Sequence, residues 1–167
     1  MTTDVRVQEL THSEWERLRS LRLASLDDSP HAFGGDHAAE SAMTAEAWID
    51  RMANVRYFAA VVQNVDSAIM SVEQFDGDFG AKIWLGGCWV APQVRGTGVM
   101  KAFINFIDSV ATERGWERQG LGVWHDNHLA IAAYERLGFK IMGDMQESTR
   151  KPGLYYQRMI RDTVTSV

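Results

Sequence analysis

The chain has 167 residues, enough for one domain with a buried core of its own, and a single domain over residues 1–167 is expected. A hydrophobic fraction of 46%, a charged fraction of 23% and a formal net charge of -5 are ordinary for a globular protein. The acidic balance disfavours a sequence-independent grip on nucleic acid, which needs many Lys and Arg contacts to phosphate, and no window approaches the roughly 20 apolar residues of a membrane span. One cysteine, Cys88, and a polar start over Met1–Gln8 without a signal-peptide pattern point to a reducing, cytoplasmic setting.

In chain order, Val5–Leu10 alternates as a strand, and Thr11 with Glu14 forms a capping box ahead of a helix through about Leu26. Trp15, Leu18, Leu21 and Leu23 supply its apolar stripe. Asp27–Glu40, with Pro30, Gly34 and Gly35, breaks regular structure, and a short helix from Thr44 to about Ala53 turns Trp48 inward. Two apolar runs, Tyr57–Val62 and Ala68–Val72, are joined through Asn64 and Asp66 as a hairpin. A turn at Asp76, Gly77 and Asp78 leads into the strand Lys82–Val90. The helix Gly98–Arg114 ends at Gly115, a suitable left-handed residue past a helix end. Strand Gln119–Trp124, a helix Asn127–Leu137 closed by Gly138, and strands Lys140–Met145 and Leu154–Ile160 complete the chain. This is an α/β (α+β) pattern with a mixed central sheet of about six to seven strands and four helices. The passage from Lys82 to Trp124 is the natural place for a parallel pair, because a crossover of that length normally carries a helix.

Within that passage Gln93, Val94, Arg95, Gly96, Thr97 and Gly98 lie between an apolar strand and an amphipathic helix. Glycines let backbone approach a ligand without a Cβ in the way, while the free N–H groups and positive end of a helix start favour phosphate. Gly86 and Gly87 interrupt the strand before the turn, and Gly120 and Gly122 lie on one face of the strand after the helix. Strand glycines mark a bulge or a close backbone approach, and two splayed strands there would open a slot for a thin extended group. The competing explanation is packing, with the glycines admitting Trp84, Trp89 or Trp124; taken alone it stands ahead.

Val90, Ala91, Pro92, Gln93, Val94, Arg95, Gly96, Thr97, Gly98 resembles the acetyl-CoA pyrophosphate loop of the GNAT superfamily, the Gcn5-related N-acetyltransferases, whose pattern is Q/R-x-x-G-x-G/A. Downstream, Val123, then Asn127, Ala130, Tyr134, Glu135, Arg136, Leu137, Gly138 and Phe139 resembles that family's N-x-x-A-x-x-x-Y-x-x-x-G-F segment. The loop alone is a weak signal, and the two together, separated by a helix and a strand, are strong. The run Asp28, Ser29, Pro30, His31, Ala32, Phe33 looks like one found in many members. The resemblance implies an acyl-CoA N-acyltransferase fold splayed between strands 4 and 5. It further implies an N-acetyltransferase that moves an acetyl group from acetyl-CoA to a primary amine by direct attack in a ternary complex, without a metal. The acceptor would be a small-molecule or peptide amine, with no nucleic acid or membrane partner; a homodimer stays open.

The resemblance also assigns roles. Backbone amides around Arg95, Gly96, Thr97, Gly98, Val99 and Met100 would hold the pyrophosphate, with side-chain help from Gln93 and Arg95. The edge Cys88, Trp89, Val90 would take the pantetheine arm as a pseudo-strand and polarise the thioester. Asn127 would cap its helix and touch the cofactor, and Ala130 would permit a close approach. Tyr134 would protonate the departing thiolate, against the ordinary reading of a helix aromatic as core. His31, Phe33, Trp84 and Trp124 are candidates for the acceptor side.

The strand Lys82–Val90 carries no carboxylate or histidine, whereas many relatives place a glutamate there. Glu73 is the chosen base, with His125 and Asp126 as options, each equally explained as a surface group. Cys88 has no neighbouring cation or helix start to activate it and reads as a small buried residue. A dinucleotide fold would want a third glycine where Lys101 stands, and the P-loop Lys-Ser/Thr pair is absent. The remaining rival is a catalytically silent acyl-CoA-binding or regulatory domain on the same fold.

Overall fold

The computed structural model describes residues 4–164; the part of the polar start made by residues 1–3 lies outside the described residues. Its elements are β1 (Val5–Glu9), α1 (Trp15–Asp28), α2 (His37–Ser41), α3 (Ala45–Asn54), β2 (Arg56–Val62), β3 (Val65–Gln74), β4 (Ile83–Val90), α4 (Val99–Arg114), β5 (Arg118–Trp124), α5 (His128–Arg136), β6 (Lys140–Glu147) and β7 (Tyr155–Asp162). The strands form a mixed seven-stranded sheet in the order β1-β2-β3-β4-β5-β7-β6, with β4 and β5 parallel as the crossover length requires. The described residues hold five α-helices where the sequence pattern suggested four; the addition is α2. It lies inside the stretch Asp27–Glu40 read as irregular. Asp36 starts it by accepting the Ala39 N–H at 3.0 Å, but His37–Ser41 carries no apolar stripe by which periodicity could find it.

The chain divides into two compact units. One runs up to Glu73 and resumes over Gly87–Phe103; the other holds Gln74–Gly86 and everything from Ile104 onward.

In the first unit, Thr11 and Glu14 close a 3-10 turn over His12–Glu14 that leads into α1: the Glu14 N–H donates to the Thr11 carbonyl at 2.9 Å, and the Thr11 N–H donates to Glu14 Oε1 at 3.0 Å. α1 then buries Leu18, Leu21, Ser25 and Leu26, while the expected Leu23 is only half-buried. Leu18 and Leu21 pack with Trp48 and Met52 of α3, Ala59 of β2, Ile69 of β3, and Trp89. The β2–β3 hairpin turns on Gln63 and Asn64, both at positive φ (49° and 65°), with Val62 paired to Val65. Asp66, expected in this turn, belongs to β3, where its carboxylate receives Arg17 Nε at 2.9 Å and Nη2 at 2.6 Å.

The same unit buries Glu40 between two arginines. Arg22 donates from Nε and Nη2 to its two oxygens at 3.0 and 3.1 Å, and Arg51 adds a 2.7 Å bond to Oε1. Burial works to raise the Glu40 carboxyl; the Arg22 and Arg51 hydrogen bonds outweigh it and hold the group below its ordinary value. Arg51 Cζ lies 4.7 Å from the Trp48 ring centre and Arg22 Cζ 5.6 Å from that of Phe33, so each guanidinium meets a ring as well as the Glu40 carboxylate.

In the second unit the parallel ladder covers three pairs, Ile83↔Gln119, Trp84↔Gly120 and Leu85↔Leu121. β5 pairs with β7 over its whole length, from Arg118↔Asp162 to Trp124↔Tyr156. Ile83, Leu85, Ile107, Ala111, Trp116, Leu121, Phe139 and Met159 are buried. Among them sits one cation. Arg161 grips Asp108 of α4 through two 2.7 Å bonds, reaches Gln119 Oε1 at 3.0 Å, and caps the end of α5 by donating to the Leu137 carbonyl at 2.9 Å. Removing one partner of a buried pair leaves an uncompensated charge, so Asp108→Ala should cost about 3–5 kcal/mol in chemical denaturation. A loss below about 1 kcal/mol would mean that water replaces the carboxylate there.

Candidate functional site

The first unit supplies the glycine turn. After β4, Pro92–Val94 makes one 3-10 turn, and the Thr97 hydroxyl donates back to the Val94 carbonyl at 2.6 Å. Gly96 and Gly98 sit at φ +75° and +89°, on either side of Thr97. A Cβ at either would meet nothing within 4 Å, so both face open space. α4 begins at once with Val99, whose side chain is buried, and the Ala102 N–H makes its first-turn bond to the Gly98 carbonyl at 3.0 Å. Left-handed residues next to a helix start turn successive N–H groups toward one concavity, which suits an oxyanion. Gln93 and Thr97 are exposed, and Met100 is half-buried.

Arg95 stands differently from the expectation of a free phosphate contact. Its Nη2 donates to Asp28 Oδ2 at 2.6 Å and its Nε to the Val90 carbonyl at 2.9 Å. Asp28, the last residue of α1, also accepts the Trp89 indole N–H at 2.9 Å and the Ser29 hydroxyl at 2.7 Å. These donors, Trp89 first, then Ser29 and Arg95, hold the Asp28 carboxyl down at about 2. The Trp89 side chain belongs to the core cluster, so only the main chain of that residue is available to a ligand along β4.

Of the other first-unit candidates, His31 is exposed, and Phe33 packs on the core cluster under Arg22. Glu73 lies exposed at the end of β3. Tyr57 pairs with Ser71, so Glu73, two residues on, shares the sheet face of Tyr57. Cys88 is half-buried, not fully enclosed.

The second unit supplies α5. Asn127 caps it, its Oδ1 accepting the Ala130 N–H at 3.2 Å. Tyr134 is half-buried, with its ring edge-on to Phe139 at 5.8 Å. Trp124 sits opposite Tyr156 with Lys151 Nζ 5.9 Å over its ring. His125 Nδ1 lies 3.2 Å from the Tyr155 carbonyl, which gives it a structural place. Trp84 lines an open cavity of about 470 Å³ with Phe75, Gly122, Glu147, Arg150 and Tyr156. The same ring explains one strand glycine: a Cβ at Gly120 would overlap Trp84. Packing therefore accounts for Gly120, the explanation the sequence ranked ahead.

Sequence reasoning missed the ties of Asp28 and the pairing of Glu40 with Arg22 and Arg51. Asp28 was visible only as part of a recurring run, with no signal of its partners at Trp89 and Arg95. The Asp28 tie generates a test. Its carboxyl titrates lower folded than unfolded, so the stabilisation is complete above about pH 4 and fades as pH falls toward about 2. Asp28→Ala should lower Tm at neutral pH and speed amide exchange over residues 93–98; unchanged exchange there would show that the loop holds itself.

Comparison with known proteins accords with this layout. The Acetyltransferase (GNAT) family model matches residues 15–139, three-quarters of the chain. A GNAT-family acetyltransferase from Streptococcus pneumoniae superposes with a TM-score of 0.73 at 16% identity, over 96% of this chain and 100% of that one. An N-acetyltransferase from Staphylococcus aureus Mu50 gives 0.71 at 18% identity over 97% and 99% of the two chains. Spermidine N-acetyltransferase from Vibrio cholerae, in complex with CoA and spermine, gives 0.71 at 15% identity over 95% of each. At these identities the structural likeness speaks for the fold, and the family match, spanning both the glycine turn and α5, carries membership: this chain belongs to the GNAT acetyltransferase family.

Proposed function

We propose that the protein is an acetyl-CoA-dependent N-acetyltransferase that acts as a single domain, in the cytoplasm, on a small amine in a ternary complex. The observation that carries this is the turn at Gly96 and Gly98, whose left-handed, unobstructed backbone runs straight into α4. It fits the CoA pyrophosphate through main-chain N–H groups of residues 95–100, with Gln93 at its rim. Arg95 contributes by fixing the loop to Asp28 and β4. Main chain of Cys88, Trp89 and Val90 takes the pantetheine arm, and Asn127 and Ala130 serve the cofactor from α5. A fold neighbour from Vibrio cholerae, a spermidine N-acetyltransferase in complex with CoA and spermine, supports the reading.

The chemistry asks for three proton movements. An acceptor ammonium must lose one proton before its nitrogen bonds to the acetyl carbon, and Glu73, exposed on β3, takes it directly or through water; the bonded nitrogen then sheds a second proton to solvent water. As the carbon–sulfur bond breaks, Tyr134 gives a proton to the thiolate. His31, Phe33, Trp84 and Trp124 are proposed for acceptor selection.

Incubation with acetyl-CoA and a panel of amines, read by CoA release and product mass, tests this; acetyl-CoA binding without turnover for every amine would favour a silent binding domain. Tyr134→Phe should lower kcat on the order of 10²-fold with little change in acetyl-CoA affinity, and full activity would remove Tyr134 from the mechanism. Gly98→Asp forces a side chain and a negative charge into the left-handed position and should weaken acetyl-CoA binding at least about tenfold. Undiminished affinity would undo the phosphate assignment.

A further inference from the structure

We propose that Arg22 and Tyr57 form a clamp for a carboxylate, so that the acceptor is an amine that also carries a carboxylate, as an amino acid does. The inference rests on the acetyl-transfer reading and adds the acceptor's chemical class. All of its residues lie in the first unit.

The charge balance comes first. Arg22 and Arg51 share the single carboxylate of Glu40, which leaves one positive charge over in a largely buried group. Arg22 spends Nε and Nη2 on Glu40, and its Nη1 has no partner among the described residues. The Arg22 side chain as a whole is only 17% exposed, and Nη1 is not among its enclosed atoms, so the free donor edge is the part of the guanidinium open to a ligand.

The direction of that donor comes second. Arg22 Nη1 lies 3.5 Å from the place where a Cβ of Gly87 would stand. Gly87 is at φ +54° inside β4, a conformation that side chains avoid, and it immediately precedes the Cys88–Val90 segment assigned to the pantetheine arm. The missing side chain leaves room beside the donor edge, on the side where Arg22 points. The Phe33 ring lies against the same guanidinium, 5.6 Å from Cζ to ring centre.

Tyr57 supplies a second donor. Its hydroxyl has no partner among the described residues, and burial pushes the phenol up, which keeps it a neutral donor. Tyr57 and Phe33, the ring beside the Arg22 guanidinium, pack on the same core cluster, which puts the phenol and the guanidinium in one neighbourhood. Glu73 shares its sheet face. A zwitterionic acceptor thus finds two donors for its carboxylate and one exposed carboxylate for its ammonium.

The test is a set of matched pairs: α-, β- and ω-amino acids and the amines left by removing their carboxyl groups, each assayed with acetyl-CoA. At least one carboxylate-bearing member should exceed its partner in kcat/KM by about tenfold or more. Tyr57→Phe and Arg22→Gln should each raise KM for it several-fold with a smaller change in kcat, and narrow the gap within the pair. Tyr57→Phe keeps the test valid if Arg22→Gln fails to fold. Plain amines acetylated as well as or better than their carboxylated partners, or an unaltered KM in Tyr57→Phe, would overturn the clamp and leave acetyl transfer standing. Product from no amine at all would remove both readings.

Discussion

The carboxylate of Asp28 holds together the end of α1, strand β4 and the glycine turn of the first unit. It stands where α1 ends, and it collects the Trp89 indole from β4, the neighbouring Ser29 hydroxyl and the Arg95 guanidinium from the glycine turn. Arg95 then reaches back to the Val90 carbonyl, so the turn is sewn to the strand it leaves. Gly96 and Gly98 have backbone freedom that costs conformational entropy to fix. The tie through Asp28, with the Thr97 bond to Val94, confines that freedom to one shape before any ligand arrives.

The second unit solves a parallel problem with one buried cation. Arg161 touches α4 at Asp108, β5 at Gln119 and the end of α5 at Leu137, so the helix that carries Asn127 and Tyr134 is fixed at its far end by a charge-assisted bond. Asn127 fixes the near end by capping. Both ends of this short helix are held, with Tyr134, the proposed proton donor, between them.

Features set by local rules were legible in the sequence. The strand, glycine turn and helix around Gln93–Gly98 follow from apolar spacing and glycine placement, and Thr44 and Asn127 cap the helices they were read to start, whereas Thr11 and Glu14 close a 3-10 turn over His12–Glu14 just ahead of α1. What escaped notice depends on partners far along the chain. Asp28 meets Trp89 and Arg95 across 61 and 67 residues, and no spacing rule connects them. Glu40 read as the end of a loop because burial of a carboxylate is decided by Arg22 and Arg51, not by its neighbours in sequence. Asp66 was read into the turn for the same reason, its partner Arg17 lying on another element. Gly120 was ambiguous until the Trp84 ring above it was in view.

The turn's side chains and main chain face different tasks. Val94 and Val99 point into packed surroundings, Arg95 and Thr97 bond backward, and the two residues with nothing near their Cβ positions are glycines. What the loop offers a ligand is therefore the path of its backbone. Such a surface is blind to most sequence drift: exposed positions such as Gln93 and Lys101 can change while the shape persists, as long as the anchors behind it stay. Identity this low among proteins of one fold is what a turn shaped by its backbone permits.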